Sequence, residues 1–416
     1  MIKGKKHLKC GLLGEKLSHS FSPIIHGELA DYAYSLIELR EDEVGEFLKK
    51  GDFDALNVTI PYKKTVMPYL DEISDAARRI GSVNTITKTE SGRLRGDNTD
   101  YYGFSHTVKL SGISIKDKNV LILGTGGASL TARTVCLDME ARSIANVSRS
   151  GDINYENVYE KCADTEVIIN CTPVGMYPDN GISPIELKKF KRCEGVIDMI
   201  YNPAKTRLLL DAEGLGIKRI NGLPMLVSQA KRACELFLGE DIDDGEVERI
   251  TAIISGKTES IVLVGMPGCG KSIVAGILSK MTERQAVDTD EMIKEAYGRT
   301  PAEIIRADGE EKFRALEHEI IKKAGKLSGM IIATGGGAVT RPENKDPLRQ
   351  NARIVFINRD VGSLDTLDRP LSVDLESLYE KRLPMYRDFC DFEVSNDSSP
   401  ENCAAKILKR LKGEGK

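Results

Sequence analysis

No basic excess, no long apolar run and no closely spaced cysteine pair occurs in these 416 residues, and each absence removes a class of function. A formal net charge of -4 denies the chain the electrostatic footprint of a nucleic-acid binder. Apolar runs such as VLILG and IVLVG fall far short of the roughly 20 residues that a helix needs to cross a bilayer. The opening stretch MIKGKKHLKCGLLGEK has lysines but no sustained apolar segment and no small-residue cleavage site, so it does not read as a signal peptide and a cytoplasmic protein is expected. The nine cysteines are scattered from Cys10 to Cys403 without a C-x-x-C pair, which fits reduced buried thiols better than disulfides or zinc. Cys269, inside a glycine-rich loop, is the one expected to be exposed and open to oxidation. No internal repeat is visible.

What is present is ordinary for a globular protein, 41% hydrophobic and 29% charged residues, in a chain long enough for two or three domains. Short apolar strands alternate with helical patterns throughout, which predicts an α/β fold. Three blocks emerge: residues 1–103, a βαβ-rich block at 104–226, and a third at 260–416 with its own strands IVLVG, IIATG and RIVFIN. Between the last two lie the helix MLVSQAKRACELFLG, a second short helix ending near Ser255, and residues 256–259, which read as a linker.

Two glycine-rich turns mark two phosphate sites. In VLILGTGGAS a buried-looking strand runs into a helix whose N-terminus can receive a pyrophosphate, although Ser129 stands at the third glycine position of G-x-G-x-x-G. The next strand ends in Ser148, Arg149 and Ser150, with no carboxylate for ribose hydroxyls, so a 2'-phosphate and hence NADP is favoured over NAD. The second turn, GMPGCGKS at 265–272, satisfies G-x-x-x-x-G-K-S/T at every position. Gly265, Gly268 and Gly270 let backbone N–H groups approach the phosphates, Lys271 reaches the outer ones, and Ser272 suits Mg²⁺. Downstream, VDTDE supplies Asp288 and Asp290, EEKFRALE supplies Arg314 and Glu317, ATGGGAV supplies three glycines, and DRPLS and EKRLPMY supply Arg369 and Arg382. With a phosphate loop, these arginines point to a small anionic acceptor. In the first block, Lys63 of NVTIPYKK and Asp100 of GDNTD could together handle the proton that accompanies reduction of a carbonyl.

The motifs GEKLSHSFSP, NVTIPYKK, GSVNTI, GDNTD, GTGGAS, NCTPVGM, IDMIYNP and NGLPMLVSQA occur in the order found in shikimate dehydrogenases, and the resemblance runs from about residue 8 to 240. It implies a substrate domain split between 1–103 and about 227–255, around a Rossmann-like NADP domain at 104–226. It implies Ser20 and Ser22 at the substrate carboxylate, Lys63 and Asp100 as the catalytic pair, Thr59, Asn84 and Gln229 at the ring hydroxyls, and Tyr201 near substrate and nicotinamide. Cofactor contacts are implied for Gly124, Gly126, Gly127, Ala128, Ser148, Arg149, Ser150, Met199 and Gly222. Here Ser148 and Ser150 flank Arg149 where the family usually has N-R-T, which leaves room for NAD.

Residues 260–412 resemble shikimate kinase, with a parallel sheet and a phosphate loop that includes Cys269. That resemblance implies Mg²⁺ at Ser272 and Asp288, and Asp290 at the acceptor hydroxyl. It implies Arg314 and Arg382 at the acceptor carboxylate, Gly335, Gly336 and Gly337 lining its site, and Arg369 of a mobile lid near the transferred phosphoryl group. The expected function is therefore a bifunctional enzyme that reduces 3-dehydroshikimate with NADPH and phosphorylates shikimate with MgATP, its partners being these small molecules rather than nucleic acid or membrane. A first half that accepts quinate or NAD, and a sensor that binds without turnover, are the alternatives.

Overall fold

The computed structural model describes residues 8–18, 20–364 and 374–413, and divides into two units. The first comprises residues up to 175 with 182–201 and 208–254; the second comprises 176–181, 202–207 and the chain from 255 onward.

In the first unit β1 (Lys9–Gly14), β2 (Ala33–Glu38), β3 (Ala55–Val58), β4 (Glu72–Ile73), β5 (Thr85–Lys88) and β6 (Leu94–Asp97) form one sheet in the order β2-β1-β3-β5-β6-β4. β1 is parallel to both its neighbours, whereas β5 runs antiparallel to β3 and β6. A second sheet is wholly parallel: β7 (Asn119–Leu123), β8 (Ser143–Val147), β9 (Val167–Asn170), β10 (Gly195–Asp198) and β11 (Lys218–Ile220) lie in the order β11-β10-β9-β7-β8. β9 and β10 are buried along their whole length, as strands covered by helices on both faces must be. The chain leaves β7 for β8 on one side and returns to β9 on the other. The crevice beyond the carboxyl end of β7 is thus a topological switch point, where such sheets bind ligands.

Two helices, Thr99–Ser111 and Leu223–Leu238, cross closely at Gly103, where an added Cβ would stand 2.8 Å from the Met225 carbonyl and 2.9 Å from Gln229 Cβ. The boundaries expected at 103/104 and 226/227 therefore fall inside helices.

The second unit holds a parallel sheet of β12 (Ser260–Val264), β13 (Ala286–Asp288), β14 (Ile331–Ala333), β15 (Ala352–Asn358) and β16 (Phe392–Ser395), in the order β13-β14-β12-β15-β16. The helix Gly245–Thr258 continues through residues 256–258, which corrects the expected linker: only Glu259 separates it from β12, because Gly256 and the polar residues beside it complete the last helical turn. Residues 176–181 and 202–207, expected in the NADP block, group instead with the second unit. Tyr177 donates to the Gly325 carbonyl at 2.9 Å, the Lys205 amide to that of Gln350 at 2.8 Å, and Arg207 pairs with Asp346 at 2.7 Å. Among the described residues no helix is long and apolar enough to cross a membrane.

Candidate active sites

In the first unit the ends of β1 and β3 come together, with the Thr59 amide donating to the Leu13 carbonyl at 2.9 Å. The chain then turns so that Lys63 Nζ donates to Asp100 Oδ2 at 2.6 Å, the two side chains being 28% and 18% exposed. Asp100 lies in the first turn of the helix Thr99–Ser111, and Asn84 fixes that turn. Asn84 Oδ1 accepts from the Thr99 amide at 2.7 Å and from the Thr85 and Thr99 hydroxyls at 3.0 and 3.2 Å. With the carbonyl end so engaged, only the amide end of Asn84 is left to meet a ligand.

Ser20 and Ser22 lie together before the helix Ser22–Leu29, the Ser22 amide donating to Ser20 Oγ at 3.2 Å, and Ser22 is buried. Between them Phe21 packs on Tyr201, ring centroids 6.1 Å apart, and burial raises the Tyr201 phenol pKa. Gln229 Nε2 is turned to the Leu226 carbonyl of its own helix, at 2.9 Å. The structure therefore joins Lys63 to Asp100, Asn84 to the base of their helix and the serine loop to Tyr201. Among the described residues no direct hydrogen bond joins the serine loop, Thr59 or Gln229 to Lys63.

On the parallel sheet, Gly124 has φ +102°, a region that only glycine adopts easily, and Gly126 caps the helix Gly127–Asp138. Cβ atoms at Gly126 or Gly127 would meet nothing within 4 Å, so this face of the turn, with Ala128, is open for a pyrophosphate. Ser129, the departure from the glycine pattern, is buried and donates to the Gly126 carbonyl at 2.7 Å, so its hydroxyl braces the turn. Arg149 stands exposed just past β8 between Ser148 and Ser150. Gly222 lies so close to the Met199 carbonyl that an added Cβ would overlap it. Sequence reasoning passed over the buried pair Asn170 and Asp198, bonded at 3.0 Å, which ties together the loops after β9 and β10.

In the second unit one cavity of about 750 Å³ runs from Gly268, Gly270, Lys271 and Ser272 past Asp288 and Asp290 to Gly335–Gly337, Arg314 and Arg382. The loop before it has φ +155°, +81° and +94° at Gly265, Gly268 and Gly270. Lys271 folds back on it, Nζ donating to the carbonyls of Gly265 and Met266 at 2.9 Å each. Ser272 donates to Asp288 Oδ2 at 2.6 Å, while Asp288 Oδ1 caps the next helix by accepting the Asp290 amide at 2.9 Å. A hydroxyl and a carboxylate so placed would suit a hard, oxygen-ligated cation.

Cys269 corrects an expectation. It is 0% exposed, its sulfur beside Gly265 and its carbonyl held by Asn396 Nδ2 at 2.8 Å, so the thiol is not open to oxidation. At the far end of the cavity Arg314 Nη1 donates to Glu317 Oε2 at 2.7 Å, and Arg382 Nη1 to the Gly336 carbonyl at 3.2 Å. Burial works against the Arg314 charge, but Glu317 and Glu310 outweigh it and keep the guanidinium protonated. Burial pushes the Glu317 carboxyl up against the pull of Arg314 and Arg382. Glu317 Oε1 and Asp290 Oδ1 would each stand 2.8 Å from a Cβ at Gly335, so glycine there lets the two carboxylates share one wall. Arg369 lies outside the described residues.

These two sites can be set beside known proteins. Residues 12–86 match the model of the shikimate dehydrogenase substrate binding domain, and residues 267–412 that of shikimate kinase. Shikimate dehydrogenase (NADP(+)) of Clostridium beijerinckii is 39% identical over 267 residues, which cover 59% of this chain and 98% of that protein. Among solved structures, a chorismate mutase/shikimate 5-dehydrogenase fusion protein from Clostridium acetobutylicum aligns over 60% of this chain and 97% of its own, with 36% identity and a TM-score of 0.57. The shikimate 5-dehydrogenase of Thermus thermophilus in complex with NADP(H) and shikimate aligns over 59% of this chain and 99% of its own, with 29% identity and a TM-score of 0.54.

Proposed function

The chain belongs to the shikimate dehydrogenase family and carries a shikimate kinase domain behind it, and from that premise we propose that its halves catalyse consecutive reactions, reduction of 3-dehydroshikimate to shikimate and phosphorylation of shikimate on its 3-hydroxyl. The observation that carries the reading is the single cavity that joins a complete phosphate loop to two buried arginines, a site for phosphorylating a small carboxylate such as the first half would release. NADPH supplies the hydride for the first reaction and MgATP the phosphoryl group for the second.

For reduction, Ser20 and Ser22 donate to the substrate carboxylate, and the Asn84 amide, Thr59 and Gln229 meet the ring hydroxyls. Tyr201 closes the side toward the nicotinamide. Lys63, held by Asp100, gives its proton to the carbonyl oxygen as negative charge develops there, and Asp100 keeps the ammonium aimed at that oxygen. The open turn Gly124–Ala128 would hold the pyrophosphate, Met199 and Gly222 would line the cofactor site, and Arg149 with Ser148 and Ser150 would hold the 2'-phosphate. Arg149→Ala is expected to raise the KM for NADPH by about 10–100-fold, the worth of a charge-assisted contact, and to leave the KM for NADH unchanged. Initial rates with the two cofactors check it.

For phosphorylation, Ser272 and Asp288 would hold Mg²⁺, and Lys271 turns from the loop carbonyls to the phosphates. Arg314 and Arg382 fix the shikimate carboxylate by paired N–H donors. Asp290 accepts the proton of the 3-hydroxyl, and Arg369 is assigned from the sequence alone to the charge on the transferred group. A Cβ at Gly337 would overlap the Arg314 guanidinium. Gly337→Ala is therefore expected to displace that arginine and lower kcat/KM for shikimate on the order of 10²-fold, while the KM for ATP stays put. Steady-state kinetics with each substrate varied in turn measures both. The cytoplasmic location expected from the sequence belongs to the same proposal.

The direct test is two separate assays on the purified chain. Dehydroshikimate with NADPH should yield shikimate, and shikimate with MgATP should yield ADP and shikimate 3-phosphate; failure of either assay removes that half of the reading.

A further inference from the structure

The carbonyl of Gly336, in the triglycine turn that lines the kinase cavity, is met by two buried side chains of one helix. Arg382 and Tyr386 stand one turn apart in the helix Leu375–Phe389, hence on the same face, and are 6% and 1% exposed. Arg382 Nη1 donates to that carbonyl at 3.2 Å and the Tyr386 hydroxyl donates to it at 2.5 Å. Phosphorylation as derived above uses the arginine and gives the tyrosine no task.

Tyr386 is held in place by more than that bond. Its ring stacks on Phe356 of β15, ring centroids 4.9 Å and planes 11° apart, and its hydroxyl lies 3.7 Å from Met266 Sδ in the phosphate loop. Gly336 is also confined, since a Cβ there would stand 2.7 Å from carbons of the Pro267 ring. Burial raises the Tyr386 phenol pKa, so the hydroxyl keeps its proton and serves as a donor.

The two donors differ in what else is asked of them. Tyr386 has one proton to give, and the Gly336 carbonyl takes it. Arg382 has five N–H donors and is the side chain wanted at the substrate carboxylate. To pair with that carboxylate it must be able to withdraw Nη1 from the carbonyl. An acceptor stranded among buried side chains costs more than the bond itself is worth, so the withdrawal is cheap only if a second donor stays behind. The Tyr386 hydroxyl is such a donor. With phenylalanine in its place the carbonyl would depend on Arg382 alone, and the guanidinium would be held back.

We propose that Tyr386 is a positioning residue for the phosphorylation: its hydroxyl holds the Gly336 carbonyl and thereby frees the Arg382 guanidinium to pair with the substrate carboxylate. The proposal rests on the reading of Arg382 as a carboxylate ligand. It explains why a buried tyrosine duplicates a bond that the arginine already makes.

The test is a double-mutant cycle on the full chain, with shikimate and MgATP varied separately. Tyr386→Phe keeps the ring and removes only the hydroxyl. It is expected to raise the KM for shikimate about tenfold, with kcat and the KM for ATP unchanged, the pattern of lost substrate binding. In an Arg382→Ala background the same substitution should add little, because the group it frees is gone. An unmoved KM for shikimate, a loss confined to kcat, or an equal penalty in both backgrounds overturns the proposal. If Arg382→Ala alone leaves the KM for shikimate unchanged, the carboxylate reading fails first and the role of Tyr386 falls with it. Calorimetric titration with shikimate repeats the comparison without turnover, and an affinity unchanged by Tyr386→Phe would also overturn the proposal. Tyr386→Leu removes hydroxyl and ring together: a wild-type KM with phenylalanine and a raised one with leucine would mean that Tyr386 serves packing alone.

Discussion

Lys63→Ala lowers kcat for dehydroshikimate reduction by about 10²–10⁴-fold, the usual worth of a positioned proton donor, and leaves phosphorylation of added shikimate unchanged. The expectation follows from the 2.6 Å bond to Asp100, which holds the ammonium in one place on a partly open surface. Alanine removes both the proton and the charge that would meet the developing alkoxide. Lys63 is not a core side chain, so the loss should fall on chemistry rather than on folding. Asp100→Asn should cost less than Lys63→Ala, since the lysine remains but its aim is lost. Equal loss of both activities in Lys63→Ala would mean that the halves are not separate sites.

Lys271→Ala does the reverse. Phosphoryl transfer depends on charge neutralisation, and loss of a preorganised cation at the phosphates is expected to lower the kinase kcat on the order of 10²–10³-fold. Lys271 is buried and donates to two loop carbonyls, so alanine also leaves those carbonyls without a donor. Lys271→Met keeps most of the side-chain volume and separates lost packing from the lost ammonium: a kinase equally dead with methionine places the loss on the ammonium, as charge and as donor. Dehydroshikimate reduction should be untouched in both variants. Normal ATP turnover by either would refute the phosphate-loop assignment.

Features that depend on local backbone chemistry are legible in the sequence itself. The loop at 265–272 needs glycine where φ is positive and lysine and serine at a fixed offset, and all of these are written in adjacent positions. The same holds for the turn at Gly124, where even the departure at Ser129 is visible, though not that its hydroxyl braces the turn.

What the sequence hides depends on partners distant in the chain. Cys269 is expected to be exposed because it sits in a loop, but its burial is set by the core beside Gly265 and by Asn396, 127 residues later. Glu317 is visible as a neighbour of Arg314 on one helix face, yet that it shares a wall with Asp290 depends on Gly335. The helices Thr99–Ser111 and Leu223–Leu238 run through the expected boundaries at 103/104 and 226/227, and the close crossing at Gly103 depends on Met225 and Gln229, distant in the chain.

The central claim is that one chain makes shikimate and then phosphorylates it, and a coupled assay tests it most directly. Purified protein is given dehydroshikimate, NADPH and MgATP, with no added shikimate, and NADPH consumption and ADP release are followed together. The account predicts that ADP release follows NADPH consumption after a lag and reaches one ADP per NADPH, and that omitting NADPH abolishes both. NADPH consumption without ADP release, or ADP release that does not depend on NADPH, would contradict it.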